Sequence, residues 1–484
     1  MNDPAEELAA ETEAVPGHAL SHALKRELGL WDLVPMQILL VVGIAWAGLA
    51  ATQGGGHVWF WLAAILSMFV PLAAVTGWCA TIWPLEGGVY QWTKYAMGPF
   101  AGFMSAWNFG LWALLAVSNV GILTATSISY GLGPRAAWVE NSTPLIAALT
   151  IGLFVVILLI NLPGFGIGRW VSHFGTAVMV LVTVLLMALL LYHPHVSVLH
   201  PHVNPQRPFS LAKPAFTLFS LNIFTKIAIN ALSGLEQVAV FAGETRNPRR
   251  AILQSAWIEA PIIAVIYMLM TGSMLAYTPA AKIDLTGPIP QILAAAFGGG
   301  GAAGIDWGLM LGRATILVLA VALVAQYAVI VAETSRLPLV AGWDRMVPQW
   351  FTRLDPRWKT PTRSIGVIVA LAVVLGLLAT FGTGGSQEAF QVINSVANVG
   401  YGIYYLMMFA IPLVVGDRFG VRAGFWLKAA AVSGFVVTAV AMVFILLPIV
   451  DVASKWEFAA KVAGTGLVLN LVGVSVYWNG VRRA

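Results

Sequence analysis

Charge is what this sequence has least of. Only 10% of its 484 residues are Asp, Glu, Lys or Arg, while 59% are hydrophobic. A soluble globular chain carries about 25% charged and about 45–50% apolar residues. A soluble fold is therefore excluded, and the mean hydropathy of +0.83 agrees. The apolar stretches are continuous rather than alternating, which excludes a transmembrane β-barrel. A single cysteine, Cys79, rules out an intramolecular disulfide and any zinc site built on cysteines. There is no Gly-x-x-x-x-Gly-Lys-Ser/Thr loop, so ATP-driven pumping has no support, and nothing calls for a cofactor. The net charge of +5 is spread over loops and forms no nucleic-acid surface. No basic segment leads into a short apolar core among residues 1–30, so these are not a cleaved signal peptide. They read as a cytoplasmic tail, disordered at first and helical near Leu20–Leu30.

What is present is twelve apolar segments, each near the roughly 20 residues that cross a bilayer as a helix. They run near Leu33–Ala51, Trp59–Ile82, Phe100–Leu132, Pro144–Leu162, Trp170–Tyr192, Ala215–Ala242, Ala251–Tyr277, Trp307–Ala332, Ser364–Phe381, Ala389–Val415, Gly424–Pro448 and Phe458–Tyr477. The expected fold class is thus an all-α polytopic membrane protein. An even count puts both termini on one side. With that side inside, 18 of the 26 basic residues face the cytoplasm and seven face out, with Lys226 left within a span. The bias places both termini in the cytoplasm, in the cell's inner membrane. Three loops are longer: His193–Pro214, Thr278–Asp306 and Glu333–Thr362. Within the second, Pro290–Phe297 reads as a re-entrant or lid-like helix. Tryptophans at span edges, Trp31, Trp59 and Trp138 among them, are interface anchors.

Two spans carry small residues where a helix would unwind. The first contains Val42-Gly43-Ile44-Ala45-Trp46-Ala47-Gly48, the sixth Asn230-Ala231-Leu232-Ser233-Gly234-Leu235-Glu236. Unwound backbone at membrane depth survives only where it is buried or lines a cavity. Interrupted spans at matching positions of two halves point to a transporter binding site. Close helix packing accounts for glycines in such spans equally well. Further stretches narrow the choice. Trp83-Pro84-Leu85-Glu86-Gly87-Gly88-Val89-Tyr90 follows the second span. Gly234-Leu235-Glu236 leads on to Gly243-Glu244-Thr245-Arg246-Asn247-Pro248-Arg249-Arg250. Ser335-Arg336 and Asp344-Arg345-Met346-Val347-Pro348 follow the eighth span. In order and spacing, these stretches resemble the amino acid–polyamine–organocation (APC) transporter family, with one extra residue, Glu86, before the paired glycines.

The resemblance implies a LeuT-type fold with twelve transmembrane helices. Ten helices in a 5+5 inverted repeat form a transport core over residues 31–416, after a tail at 1–30. Two peripheral helices and a short C-terminus fill 417–484. It also implies a secondary active transporter working by alternating access around the two breaks. Trp46, Ala47 and Gly48 match the family's Gly-Ser-Gly break, with Trp46 at the first glycine and Ala47 at the serine, so the hydroxyl is missing and an indole fills space. Asn230 stands where some members place a substrate-stacking aromatic, and Tyr327 matches a gating aromatic. The implied substrate is a small amino acid. Its carboxylate would meet amides around Gly43, Ile44 and Trp46–Gly48, and its amine the carbonyls around Asn230, Ser233 and Gly234. Coupling is to protons or to a counter-substrate. A fifth-span lysine, used by some members as a built-in cation, is absent between Val178 and Tyr192.

Single residues sharpen the expectation. Lys226 lies about 16 Å into the sixth span at 1.5 Å per residue, and intramembrane lysines face a cavity or a partner. It is read as a vestibule cation that attracts a carboxylate or gates the site; snorkelling or structural pairing are the alternatives. Glu236 is either a proton carrier or a hydrogen-bond anchor. Glu86, Glu244 and Arg336 are expected to form ion pairs at a cytoplasmic gate. Asn119, with Asn108 and Ser118, lines the cavity or bonds between helices. The histidines at 193, 195, 200 and 202 read as a solvated loop, not a metal site. A polyamine or other organic-cation carrier is the rival, requiring several carboxylates in the cavity where only Glu236 is a candidate. A membrane-embedded enzyme or sensor would need a catalytic cluster or an output domain; neither is evident.

Overall fold

The computed structural model describes residues 26–199, 208–211, 213–214, 216–284, 288–297, 307–381, 386–416, 422–448 and 454–482. Among them, nine helices are long and apolar enough to cross a membrane, and three shorter apolar ones, Leu30–Val41, Leu218–Ala231 and Thr362–Leu378, bring the set to twelve. All twelve expected segments are helical. The fifth runs on as Phe165–Leu199, past its expected end at Tyr192. Residues 200–207 and 212 of the histidine-rich loop lie outside the described residues. The helix expected within the seventh loop is Pro288–Phe297. Two further helices, Val89–Met97 and Arg336–Trp343, follow the second and eighth spans; neither was anticipated, because each is too short and too polar to register as a span.

Helix irregularities have identifiable causes. In the second span Pro71 lacks the N–H that would bond the carbonyl of Ser67, and a π turn covers Ile65–Phe69. Ser433 of the eleventh span donates to the Ser67 carbonyl at 2.9 Å instead. The first span stops at Val41 and restarts at Ile44, with Val42 non-helical and Gly43 extended between them. The sixth passes from α-helix (Leu218–Lys226) through a π turn (Ile227–Ala231) to an unwound stretch at 232–236, then to a 3-10 helix, Gln237–Glu244. The expected break at Trp46–Gly48 is therefore displaced: those residues are helical, and the opening is at Val42–Gly43.

Burial separates core from periphery. The apolar windows of the third, eighth and tenth spans are 67% buried; those of the eleventh and twelfth are 22% and 17% buried. The first span packs against the fifth, seventh and eighth, and the third against the eighth and tenth. The chain before the first span is not helical where it is described. Leu28 forms an isolated parallel bridge with Thr245, and the N–H groups of Glu27 and Leu28 both bond the Glu244 carbonyl at 3.0 Å. The chain entry is thus pinned to the end of the sixth span. This end of the bundle is called the N-terminal face below.

Candidate functional site

Unwinding frees backbone donors and acceptors, which inside a membrane protein must find partners. Here other spans supply them. The Tyr267 hydroxyl donates to the Val41 carbonyl at 2.7 Å and accepts from Gly43 N–H at 2.8 Å, clasping both sides of the first break. Its ring stacks on Trp61 with centroids 4.8 Å apart. Gln326 of the eighth span donates to the Leu39 carbonyl at 2.5 Å. Gln37 of the first span donates to the Leu235 carbonyl at 2.7 Å, linking the two breaks. Gly234, at φ +105, is a backbone state suited to glycine; its N–H bonds the Tyr405 hydroxyl at 3.1 Å.

Beside these breaks is a cavity of about 150 Å³. Val41, Gly43 and Trp46 of the first span contribute to its wall, as do Asn230, Ser233 and Gln237 of the sixth. Leu319, Leu323, Gln326 and Tyr327 come from the eighth, Trp112 and Asn119 from the third, Asn394 and Asn398 from the tenth. Six amide side chains and the hydroxyl residues Ser127, Ser233 and Tyr327 thus share the wall with apolar groups, and none of its described lining residues is charged. The Trp46 indole folds back against Gly43, where a Cβ would lie 2.6 Å from its Nε1. Asn230 donates to the Lys226 carbonyl at 3.0 Å, and Ser233 to the Asn230 carbonyl at 3.0 Å.

Of the residues singled out from the sequence, Gly43, Trp46, Asn119, Asn230, Ser233 and Tyr327 meet at this cavity. The side chain of Ile44 lies outside the described residues. Ala47 and Gly48 are not in the wall: the helix restarts before them, Ala47 is fully buried, and Gly48 faces Pro288. Gly234 and Glu236 lie behind the wall. Lys226 also lies off it, 6% exposed, with no carboxylate acting on it among the described residues. The π turn between Lys226 and Asn230 puts an extra residue into that turn, so a spacing of four no longer aligns the two side chains as in an α-helix. Asn108 and Ser118 are taken up by other bonds, Asn108 to Asn470 at 2.8 Å and Ser118 to the Leu115 carbonyl at 2.7 Å. Trp112, Gln237, Gln326, Asn394 and Asn398 were not foreseen. The amides were legible only as polar residues inside apolar spans, with no motif to rank them.

Glu236 is fully buried. It accepts from the Tyr405 hydroxyl at 3.0 Å and the Tyr401 hydroxyl at 3.4 Å. Tyr401 also accepts from Gln237 at 3.0 Å, and its ring stacks on Trp112 with centroids 4.2 Å apart. A cavity residue therefore leans on a ring that touches Glu236.

Towards the N-terminal face, Glu86, Glu244 and Arg336 come together. Arg336 meets Glu244 through two parallel bonds of 3.0 and 3.2 Å, and its guanidinium lies 5.2 Å above the Phe241 ring. Glu86 accepts from Gly243 N–H at 2.5 Å. Burial and the neighbouring Glu244 push the Glu86 carboxyl well above the usual carboxylate range, with Arg336 opposing. Gly88, at φ +48, lets this loop approach the sixth span: a Cβ there would lie 3.0 Å from the Ala239 carbonyl carbon. Lys94 pairs with Asp344 at 2.7 Å, and Tyr90 bonds the same carboxylate. His173 pairs with Asp32 at 3.2 Å.

Interrupted first and sixth spans, jointly facing a small cavity inside ten packed helices, define a LeuT-type membrane transporter. The fold is similar to that of MhsT, solved in complex with L-phenylalanine, with a TM-score of 0.61 at 13% identity over 87% of this chain and 99% of that one. The chain matches the amino acid permease family model over residues 28–468 and belongs to that family. It is 25% identical over 397 residues to the branched-chain amino acid permease BcaP of Bacillus subtilis, covering 77% of this chain and 80% of that one. It is 27% identical over 265 residues to the probable agmatine/putrescine antiporter AguD of Lactococcus lactis, over 54% of each. The protein is thus a multi-pass APC-family transporter of the amino acid or amine class, and not an enzyme.

Proposed function

We propose that this protein carries a small, net-neutral amino acid across the cytoplasmic membrane by alternating access, with its N-terminal face in the cytoplasm. The supporting observation is the lining of the cavity: amides, hydroxyls and apolar groups, without a charged side chain among the described residues. A dication would need carboxylates to replace its water, since an unpaired ion in an apolar site is strongly disfavoured. A zwitterion can instead use dipoles. Its carboxylate fits the start of the helix Ile44–Ala51, where the first N–H groups have no partner within the helix and the helix dipole favours a negative charge. Its ammonium fits the amide and carbonyl oxygens of the sixth span around Asn230 and Ser233. Trp46 and Tyr327 would close over it.

Lys226, in its protonated form, acts from behind the wall as a positive charge that disfavours cationic substrates, because Coulomb effects reach several ångströms in a low-dielectric medium. Glu236 is the proton-coupling group, and the contact from Trp112 through Tyr401 lets an occupied cavity bear on it. Glu86, Glu244 and Arg336 hold the cytoplasmic gate shut.

The deciding experiment is a thermal-shift screen of the purified protein with amino acids and amines, because a ligand of the native state raises its stability. Neutral amino acids are expected to raise the melting temperature, and putrescine and agmatine to leave it unchanged. A shift with the diamines alone would replace this function by a polyamine carrier. In Lys226→Met, amines should gain binding; an unaltered preference would remove Lys226 from the selectivity argument.

A further inference from the structure

One buried acid has no part in the account so far. Glu333 stands at the end of the eighth span, fully buried, and neither carboxylate oxygen has a hydrogen-bond partner. A carboxylate in such a place is tolerated when it is neutral or when it meets an opposite charge. The charges that act on it are those of Glu236, at the break of the sixth span, and Arg336. Arg336 is already bonded to Glu244 by both arms of its guanidinium. Tyr404 of the tenth span lies in the field of Glu236 and Glu333 alike.

Other elements packed here do not supply a competing partner. Asp32 of the first span is shared by His173 and Arg169 of the fifth. Arg363, opening the ninth span, is exposed. Tyr130 of the third span bonds Asp284 at the opposite end of the molecule. Glu333 is therefore placed between the acid behind the cavity and the ion-paired cluster at the N-terminal face.

We propose that Glu333 is a second proton station, which takes the proton released by Glu236 and passes it towards the N-terminal face. The step is a proton transfer only. Glu236 goes from acid to carboxylate as Glu333 goes from carboxylate to acid, by way of the Tyr404 hydroxyl or a water, and the proton then leaves from Glu333 to the solvent of that face. Two carboxylates in one dry region are not both ionised at low cost, so one proton shared between them keeps the pair at a single negative charge. Arg336, already paired, steadies that charge when it rests on Glu333.

The proposal rests on the proton-coupled form of the function above, and the test separates the two. Glu333→Gln, Glu333→Asp, Glu236→Gln and wild type are reconstituted in liposomes loaded with the amino acid that the thermal-shift screen identifies. Exchange at equal pH and uptake driven by a pH gradient are then measured for each. Glu333→Gln is expected to keep exchange and lose gradient-driven accumulation, as Glu236→Gln does, with Glu333→Asp restoring part of it. If Glu333→Gln accumulates like wild type while Glu236→Gln does not, the second station is overturned and proton coupling stands. If both accumulate like wild type, proton coupling itself fails. Loss of exchange in both Glu333 variants would make the residue structural and overturn the proposal.

Discussion

Tyr267 shows how much one hydroxyl can hold. It is the partner of both Val41 and Gly43, the two sides of the first break. Tyr267→Phe leaves that donor and that acceptor without their partner, a loss of about 1–3 kcal/mol when such groups are buried. The variant should unfold at lower temperature and bind substrate less tightly; wild-type values for both would show that the break does not depend on this clasp. At this scale the sequence is informative where a residue type is costly to bury. Glu236 and Lys226 stood out for that reason, and both are buried in the sixth span. It is uninformative where the residue is ordinary. Gln326 and Gln37 look alike, yet only Gln326 reaches the cavity wall. The position of the break was also misjudged by a few residues, since Gly43 and Gly48 are equivalent as glycines. What distinguishes them is that Gly48 packs against Pro288 while Gly43 faces Trp46.

Between elements, the ion-paired cluster at the N-terminal face joins the loop after the second span, the end of the sixth and the start of the helix Arg336–Trp343. Breaking a buried ion pair from one side leaves a charge without compensation and costs about 3–5 kcal/mol. Arg336→Ala should therefore destabilise the fold strongly, and adding Glu244→Gln should recover part of the loss. A double variant as weak as the single one would show that charge compensation is not what Arg336 provides.

Glu86 adds a pH dependence at the same joint. Because its carboxyl is pushed up in the folded state, the fold holds that proton more firmly than the unfolded chain does. The stabilisation is complete below the ordinary value of 4.5 and is lost as pH rises through the raised one. Glu86→Gln keeps an acceptor for Gly243 N–H and removes the titration. Its melting temperature should change less from acidic to alkaline pH than that of wild type; parallel curves would contradict this. The three residues were legible as motif members expected to meet in ion pairs. The bond from Gly243 N–H to Glu86 was not, because it spans a separation of 157 residues.

For the molecule as a whole, the orientation proposed from the basic residues is open to a direct check. In a Cys79→Ala background, Ala137→Cys and Arg357→Cys place single exposed thiols in the loops after the third and eighth spans. An impermeant maleimide applied to intact cells should label the first and spare the second. The reverse pattern would invert the topology and with it the direction of the proposed gate. Residue pattern alone was sufficient for the number of spans, the family motifs and the two interrupted spans. These depend on local hydrophobicity and on glycine, which act within a turn or two of chain. Packing of distant spans was needed to place the first break at Val42–Gly43, to gather six amides around one cavity, and to set Glu333 near Glu236. Those depend on which faces of separate helices meet, and no stretch of sequence carries that on its own. Low charge first marked the chain as a membrane protein; the fold then gave the few buried charges their neighbours.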